Sequence, residues 1–380
     1  MQIENIIKSR INIISPKKMR IALAIIISVL LAMLGKHAIG AVTQNPIKWH
    51  PGHYVTLVNP GKDSSRYMAK VYSELETYSA LRGITIRYRW SELESQKDVY
   101  NFTSIDKHLA ELAERDKRLI ILLETKSFKP DEILAPDYLK DAIYEGGVFP
   151  FTGSGGTVPK GYNIKLWNKA VHDRLAALIR ALGKRYNSHP HFEGFGLQET
   201  TMGQPIKPLT STQVNDYYKN LLSINQWMRN SFPNTMTYQF TNYPRGILES
   251  FINGLNEIGT ALGCPDIFLE DPGLLFKGTK HSRRGIYSYY PELSGIMPLT
   301  IQVEKSNYEN TRHDRKGYQP TVQELLTFAR DTLKVNYIFW TRSPGYFDDV
   351  LQMLNQKSQT SILSGGLDPT CPSNYASCTN

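Results

Sequence analysis

Two glutamates follow short apolar runs far apart in the chain: Glu199 in "FGLQETTMG" (195–203) and Glu304 in "LTIQVEKS" (299–306). Carboxyl groups that converge on one pocket can divide the work of breaking a glycosidic bond. One is protonated and delivers a proton to the leaving oxygen. The other is ionised and attacks or supports the anomeric carbon. Alternation along a strand puts Thr300, Gln302 and Glu304 on one face and Leu299, Ile301 and Val303 on the other. Arg87 and Arg89 share a face of "GITIRYRW" (83–90), and an arginine beside Glu304 would keep it ionised. Glu199 follows Phe195 and Leu197, which predicts a partly desolvated carboxyl suited to hold a proton.

Other polar residues at strand ends are secondary candidates. Glu124 reads as a substrate contact or as a buried partner of Arg87 or Arg89. Glu270 and Asp271 read as loop anchors or sugar contacts. Sugars present apolar faces to aromatic rings, so Trp90, Tyr243, Tyr308 and Trp340, at or beyond strand ends, are expected to bind substrate. No Ser–His–Asp arrangement or nucleophile elbow is present, and no Cys/His cluster has metal-ligand spacing. Neither a metal nor an organic cofactor is expected.

The elements that must position these residues alternate in type. Strand-like runs occur at 53–60, 83–90, 118–125, 192–199, 236–243, 265–272, 299–306 and 336–343. Amphipathic segments lie between them. "VHDRLAALIRALGKRY" carries Val171, Leu175, Leu178, Ile179, Leu182 and Tyr186 on one stripe. Thr210 with Gln213, and Thr321 with Glu324, have the spacing of capping boxes. "ILESFINGLNEIGTALG" predicts a helix stopping at Gly263. Eight such units fit a single (β/α)8 barrel, the TIM-barrel form of the α/β class, over residues 42–355. An open doubly wound sheet is the alternative, but no GxGxxG or GxxxxGK[ST] supports a nucleotide site. The Gly- and Pro-rich insertion at 144–163 is expected to be a loop over the barrel mouth, and the segment from 356 to 380 a loosely held polar tail.

The amino terminus has a different character. Lys17, Lys18 and Arg20 precede the apolar run "IALAIIISVLLAML" and then small residues, the pattern of a secretory signal over residues 1–41. An uncleaved anchor is the alternative, although the run is shorter than the roughly 18–20 residues of a spanning helix. Export would make the protein periplasmic or extracellular and would permit a disulfide between Cys371 and Cys378, leaving Cys264 as a buried thiol. The first 41 residues hold six basic side chains and one acid, so +4 of the net +9 belongs to the remainder. That modest charge, with no basic stripe, speaks against nucleic acid as a partner and leaves carbohydrate as the expected one.

The segment "GITIRYRWSELESQKDVYNFTSIDKHLAELAERDKRLIILLET" resembles the second and third βα units of glycoside hydrolase clan A, and is similar in pattern to family 42 and family 5 barrels. The resemblance spans most of residues 50–355. It implies a retaining mechanism on O-glycosidic bonds of an oligo- or polysaccharide, with Glu199 as acid/base and Glu304 as nucleophile. It also implies an arginine near the nucleophile and a tryptophan after the eighth strand, matching Trp340. Gln198 stands where the clan usually has an asparagine that contacts the sugar 2-hydroxyl. The other reading is a catalytically inactive, glycan-binding barrel, because a fold does not establish an activity.

Overall fold

The computed structural model of the chain describes residues 45–57, 61–153 and 156–380. The expected signal segment lies outside the described residues. Among those described, no helix is long and apolar enough to cross a membrane.

Eight parallel strands close into a barrel: β1 (Gly52–Leu57), β2 (Leu81–Arg89), β3 (Arg118–Glu124), β4 (Phe192–Leu197), β5 (Met236–Phe240), β6 (Ala261–Cys264), β7 (Leu299–Val303) and β8 (Tyr337–Thr341). Neighbours in the sheet are neighbours in sequence, and β8 pairs with β1 to complete the ring. This is the (β/α)8 form expected from the alternating pattern. Two helices begin at the capping boxes that the sequence offered. The helix Lys169–Tyr186 is capped by the Asn168 side chain, and its stripe from Val171 to Tyr186 is buried. The helix Ser211–Ser231 starts at a capping box formed by Thr210 and Gln213, and Val322–Thr327 at one formed by Thr321 and Glu324.

Alternation divides the strand residues between two cores. Val55, Ile84, Ile86, Ile121, Phe195, Ile301 and Ile338 face the helices and belong to the larger cluster. Tyr54, Ile120, Leu122, Tyr238, Phe240, Tyr337 and Phe339 form a second cluster that fills the barrel. At one end it meets Trp49 and Tyr375. There the buried Glu193 accepts hydrogen bonds from the His50 backbone and the Tyr337 hydroxyl, each at 2.7 Å, with the His50 ring also 2.7 Å away. The strands end in carboxyl-terminal loops at the opposite mouth.

Three expectations need correction. The sixth strand is Ala261–Cys264, not 265–272. The preceding helix, Arg245–Ile258, stops at Gly259, whose φ of 82° is the left-handed conformation that ends a helix, four residues before the Gly263 stop expected. Ile267 and Phe268 are buried, but in a loop rather than a strand. The insertion at 144–163 contains structure of its own. Val148–Thr152 pairs antiparallel with Gly161–Ile164, and Gln204–Pro205 adds to its other edge. The polar tail is packed rather than loose. Residues 378–379 pair in parallel with 47–48, Cys371 is bonded to Cys378, and the Trp49 indole donates to the Pro369 carbonyl at 2.8 Å.

Gly196 shows how tightly the barrel interior is filled. It pairs with Tyr238 in register, and a β-carbon there would run into the Tyr238 ring. Gly196→Ala is therefore expected to destabilise the fold by about 2 kcal/mol or more through overpacking. Urea denaturation should show a lower midpoint with little change in slope, and an unchanged midpoint would mean that the ring can move aside.

Candidate active site

The carboxyl-terminal mouth opens into a cleft of about 840 Å³ lined by Arg87, Glu199, Asn242, Asp266, Gln302 and Glu304 among others. Both glutamates thus reach one cavity from strands on different sides of the barrel.

Glu304 follows β7 and is the N-cap of a short helix, Lys305–Glu309, whose third residue Asn307 returns a side-chain acceptor to the Glu304 backbone N–H at 2.7 Å. Its Oε1 accepts from the Arg87 guanidinium in an ion pair, and from Gln302 Nε2 at 2.7 Å. Arg87 projects from β2 and also donates to Gln302 Oε1 at 3.1 Å. Its other terminal nitrogen lies 3.8 Å from Glu124. Burial acts to lower the Arg87 pKa, but Glu304 and Glu124 outweigh it and hold the guanidinium above its ordinary value. Burial raises the Glu124 carboxyl, with Arg87 and Arg89 opposing. Of the two readings of Glu124, the structure supports the buried arginine partner.

Glu199 lies two residues beyond β4. Its Oε1 accepts from Lys126 Nζ at 2.6 Å and its Oε2 from Asn242 Nδ2 at 2.5 Å. A cation and an amide thus contact the carboxyl that was expected, beyond Phe195 and Leu197, to be partly desolvated. Lys126 is buried between the rings of Phe128 and Phe151, 4.6 and 4.9 Å from their centroids, and also donates to the Thr201 carbonyl at 2.6 Å. Burial pulls the ammonium below its usual pKa, and Glu199 acts against that fall. Phe151 comes from the hairpin of the insertion, so that hairpin forms part of the Lys126 environment.

The remaining sequence candidates divide by position. Tyr243, Gln198 and Asp271 line the cleft. The Gln198 amide is engaged with backbone: its oxygen accepts from the N–H groups of Thr125 and Lys126, both at 2.8 Å, and its nitrogen donates to the Lys126 carbonyl at 3.0 Å. Asp271 Oδ1 accepts from the backbone of Gly273 at 2.9 Å and of Leu274 at 3.0 Å, which makes it an anchor of its loop. Four candidates do not face the cleft. Arg89 pairs with Glu132. The fully buried Trp90 donates to Glu94 Oε2 at 2.9 Å. Tyr308 is stacked on Tyr346 and donates to the Thr341 carbonyl at 3.1 Å. Trp340 points into the layer between strands and helices and donates to His53 Nδ1 at 3.0 Å. Burial takes that histidine's pKa down to about 4, so the ring stays a neutral acceptor. The expected tryptophan platform is therefore a core contact.

Sequence reasoning missed three participants. Lys126 was visible at a strand end but had no assigned role, and Asn242 follows β5 in "FTNY". Asp266 was hidden by the misplaced sixth strand. It lies two residues beyond β6, lines the cleft and is only partly buried. Burial, then the charges of Glu304 and Glu199, push its carboxyl up to about 7. No group of His, Cys, Asp and Glu suited to hold a metal occurs among the described residues.

No protein-family model matches the chain, and no curated protein matches it in sequence. Its fold does match solved structures. The catalytic domain of a β-amylase from Paenibacillus polymyxa aligns with a TM-score of 0.56 at 9% identity, over 80% of this chain and 98% of that one. A β-galactosidase from the psychrophilic Marinomonas ef1 aligns at 0.52 and 9% identity, over 84% of this chain and 61% of that one. The cold-adapted β-galactosidase of Rahnella sp. R3 aligns at 0.54 and 11% identity, over 83% and 57%. This chain thus spans about three fifths of each β-galactosidase. At such low identity the likeness is one of fold. The barrel is of the kind found in glycoside hydrolases, as the clan A resemblance implied.

Two stability predictions follow from the charges. Arg87→Met leaves Glu304 and Glu124 without their shared cation. It should cost about 2 kcal/mol at pH 7, toward the low side for a pair that keeps some solvent access. The deficit should shrink at acid pH as Glu124, whose carboxyl is raised by burial, takes up its proton. Asp266 keeps its proton in the folded chain up to about pH 7, whereas it ionises near 4 when unfolded. Its contribution therefore makes stability fall as pH rises from about 4 to 7. Asp266→Asn should flatten that fall in denaturant titrations, and an unchanged slope would show that the group ionises as easily folded as unfolded.

Proposed function

We propose that the protein is an exported, retaining glycoside hydrolase acting on O-glycosidic bonds of an oligo- or polysaccharide. The observation that carries the reading is the convergence of Glu199 and Glu304 on one cleft at the carboxyl ends of β4 and β7. The barrel, similar in fold to those of a β-amylase and of β-galactosidases, suits glycoside hydrolysis and does not bear on its stereochemistry.

In this reading Glu304 is the nucleophile. Arg87 and Gln302 both bind its Oε1, which fixes the carboxylate in orientation and leaves Oε2 for attack on the anomeric carbon. Glu199 gives its proton to the leaving oxygen as that bond breaks, and a glycosyl ester forms on Glu304. Lys126 and Asn242 then stabilise the Glu199 carboxylate left behind. In the second half the same carboxylate takes a proton from water, the water oxygen bonds to the anomeric carbon, and Glu304 is released. Two inversions give net retention. Export rests on the leader-like residues 1–41 and agrees with the disulfide Cys371–Cys378.

The test is a panel of aryl glycosides and polysaccharides. The parent protein should release product of retained anomeric configuration, read by NMR before mutarotation. Glu304→Gln should lower kcat by at least a thousandfold on every substrate cleaved. Glu199→Gln should be nearly as slow on poor leaving groups but much less impaired on a dinitrophenyl glycoside, which needs no proton. If neither the parent nor the variants cleave anything while all bind glycans, the barrel is a binding module and the enzymatic assignment is wrong.

A further inference from the structure

We propose that Asp266 is a substrate-binding residue of this cleft, which recognises one hydroxyl of the sugar seated between Glu199 and Glu304. The proposal rests on the glycoside hydrolase reading and adds to it a residue that decides which sugar fits.

Hydrogen-bond accounting around the cleft leads to it. Sugar hydroxyls are commonly met by side-chain amides, and three amides border this cavity. All three have their oxygens engaged by protein. Asn242 Oδ1 accepts from the Thr201 hydroxyl at 2.6 Å and the Tyr243 backbone at 2.8 Å, while its nitrogen serves Glu199. Gln302 donates to Glu304 and to the Pro265 carbonyl at 3.1 Å, and its oxygen accepts from Arg87. Gln198 clamps backbone, as described above.

Asp266 is different. Its side chain has one protein contact, from Asn307 Nδ2 to Oδ1 at a long 3.4 Å. Among the described residues no donor reaches Oδ2. A polar atom facing a cavity without a protein partner must meet water or a ligand. Its position is also fixed relative to the chemistry. Asn307 accepts from the Glu304 backbone through Oδ1 and donates to Asp266 through Nδ2, so one amide ties the third carboxyl to the base of the nucleophile. Asp266 and Glu304 follow adjacent strands, β6 and β7, so a sugar ring in reach of one lies in reach of the other.

A protonated carboxyl donates one hydrogen bond and accepts others, the same dual capacity as the hydroxyl it would bind. Its surroundings favour that form: burial acts first, Glu304 and Glu199 repel a third negative charge, and Asn307 and Arg87 act against them. Cys264 and Tyr287 behind it are buried and held neutral.

The experiment begins with an aryl glycoside that the parent protein cleaves and with its series of monodeoxy analogues. We expect Asp266→Ala to lower kcat/KM on the parent glycoside by about tenfold or more, the effect of one lost hydrogen bond in a buried site. One deoxy analogue, already slow with the parent protein, should suffer no further loss in the variant, whereas the others should lose the full factor. Asp266→Asn, which still donates and accepts, should keep more activity than Asp266→Ala and guards against misfolding as the cause. Its KM should also change less between pH 6 and 8 than that of the parent protein. Equal losses on every analogue, or no loss on the parent glycoside, would overturn the assignment while leaving the hydrolase reading intact. A parent protein that cleaves no glycoside defeats that reading first, and the Asp266 assignment with it.

Discussion

The electrostatics of the barrel mouth constrain everything built on it. Four carboxyls, Glu124, Glu199, Asp266 and Glu304, gather at one end of the barrel, and direct ion pairs come from two largely buried cations. Arg87 serves Glu304 and Glu124 together, and Lys126 serves Glu199. A planar guanidinium suits the first task, since its two terminal nitrogens address different acids. A compact ammonium held between two rings suits the second, since one point charge meets one oxygen. Asp266 has no ion pair among the described residues, and burial, followed by the charges of Glu304 and Glu199, raises its carboxyl.

Such a concentration of charge requires a rigid support, and the barrel provides it in layers. Aromatic and aliphatic side chains fill the interior beneath the cleft, with Tyr238 lying directly on Gly196. The far end is closed by the segment from Ile47 to His50, by Tyr375 and by the pairing of residues 47–48 with 378–379. Arg87, Glu124 and Gln302 lie inside the barrel near the strand ends, while buried threonines such as Thr85 and Thr300 lie deeper on the same faces. The buried Glu193 lies at the closed end. It is matched by a backbone N–H, an imidazole and a phenol, and takes no part in the cleft.

Much of this was legible in the sequence. Seven of the eight strands were found because their β-branched and aromatic runs stand out against helical stripes, and Glu199, Glu304 and Arg87 followed from where those runs end. The sixth strand was missed because "ALGC" has little intrinsic preference for a strand. It is one only because Gly263 and Ala261 let its neighbours close around it, a tertiary effect that no local pattern carries. With it went Asp266. Trp90 and Trp340 failed for a different reason. Residue types at strand ends were readable, but which face each occupied depends on register. Tyr337 and Phe339 point into the barrel, which sends Trp340 outward to His53. Lys126 and Asn242 lie past the strand ends, where alternation stops and only three-dimensional proximity assigns a partner.

The glutamine before Glu199 ties two strand ends of the mouth together. Its side chain carries the amide to the end of β3, where it receives two backbone N–H groups and returns one donor to a carbonyl. It thereby fastens β4 to the segment that bears Lys126. An amide still serves Glu199 directly, but it arrives from the neighbouring strand as Asn242, whose oxygen is held by Thr201 and whose nitrogen is thereby aimed at the carboxylate. Both amide oxygens are thus taken up by the protein, and what each amide keeps toward the cleft is a single N–H.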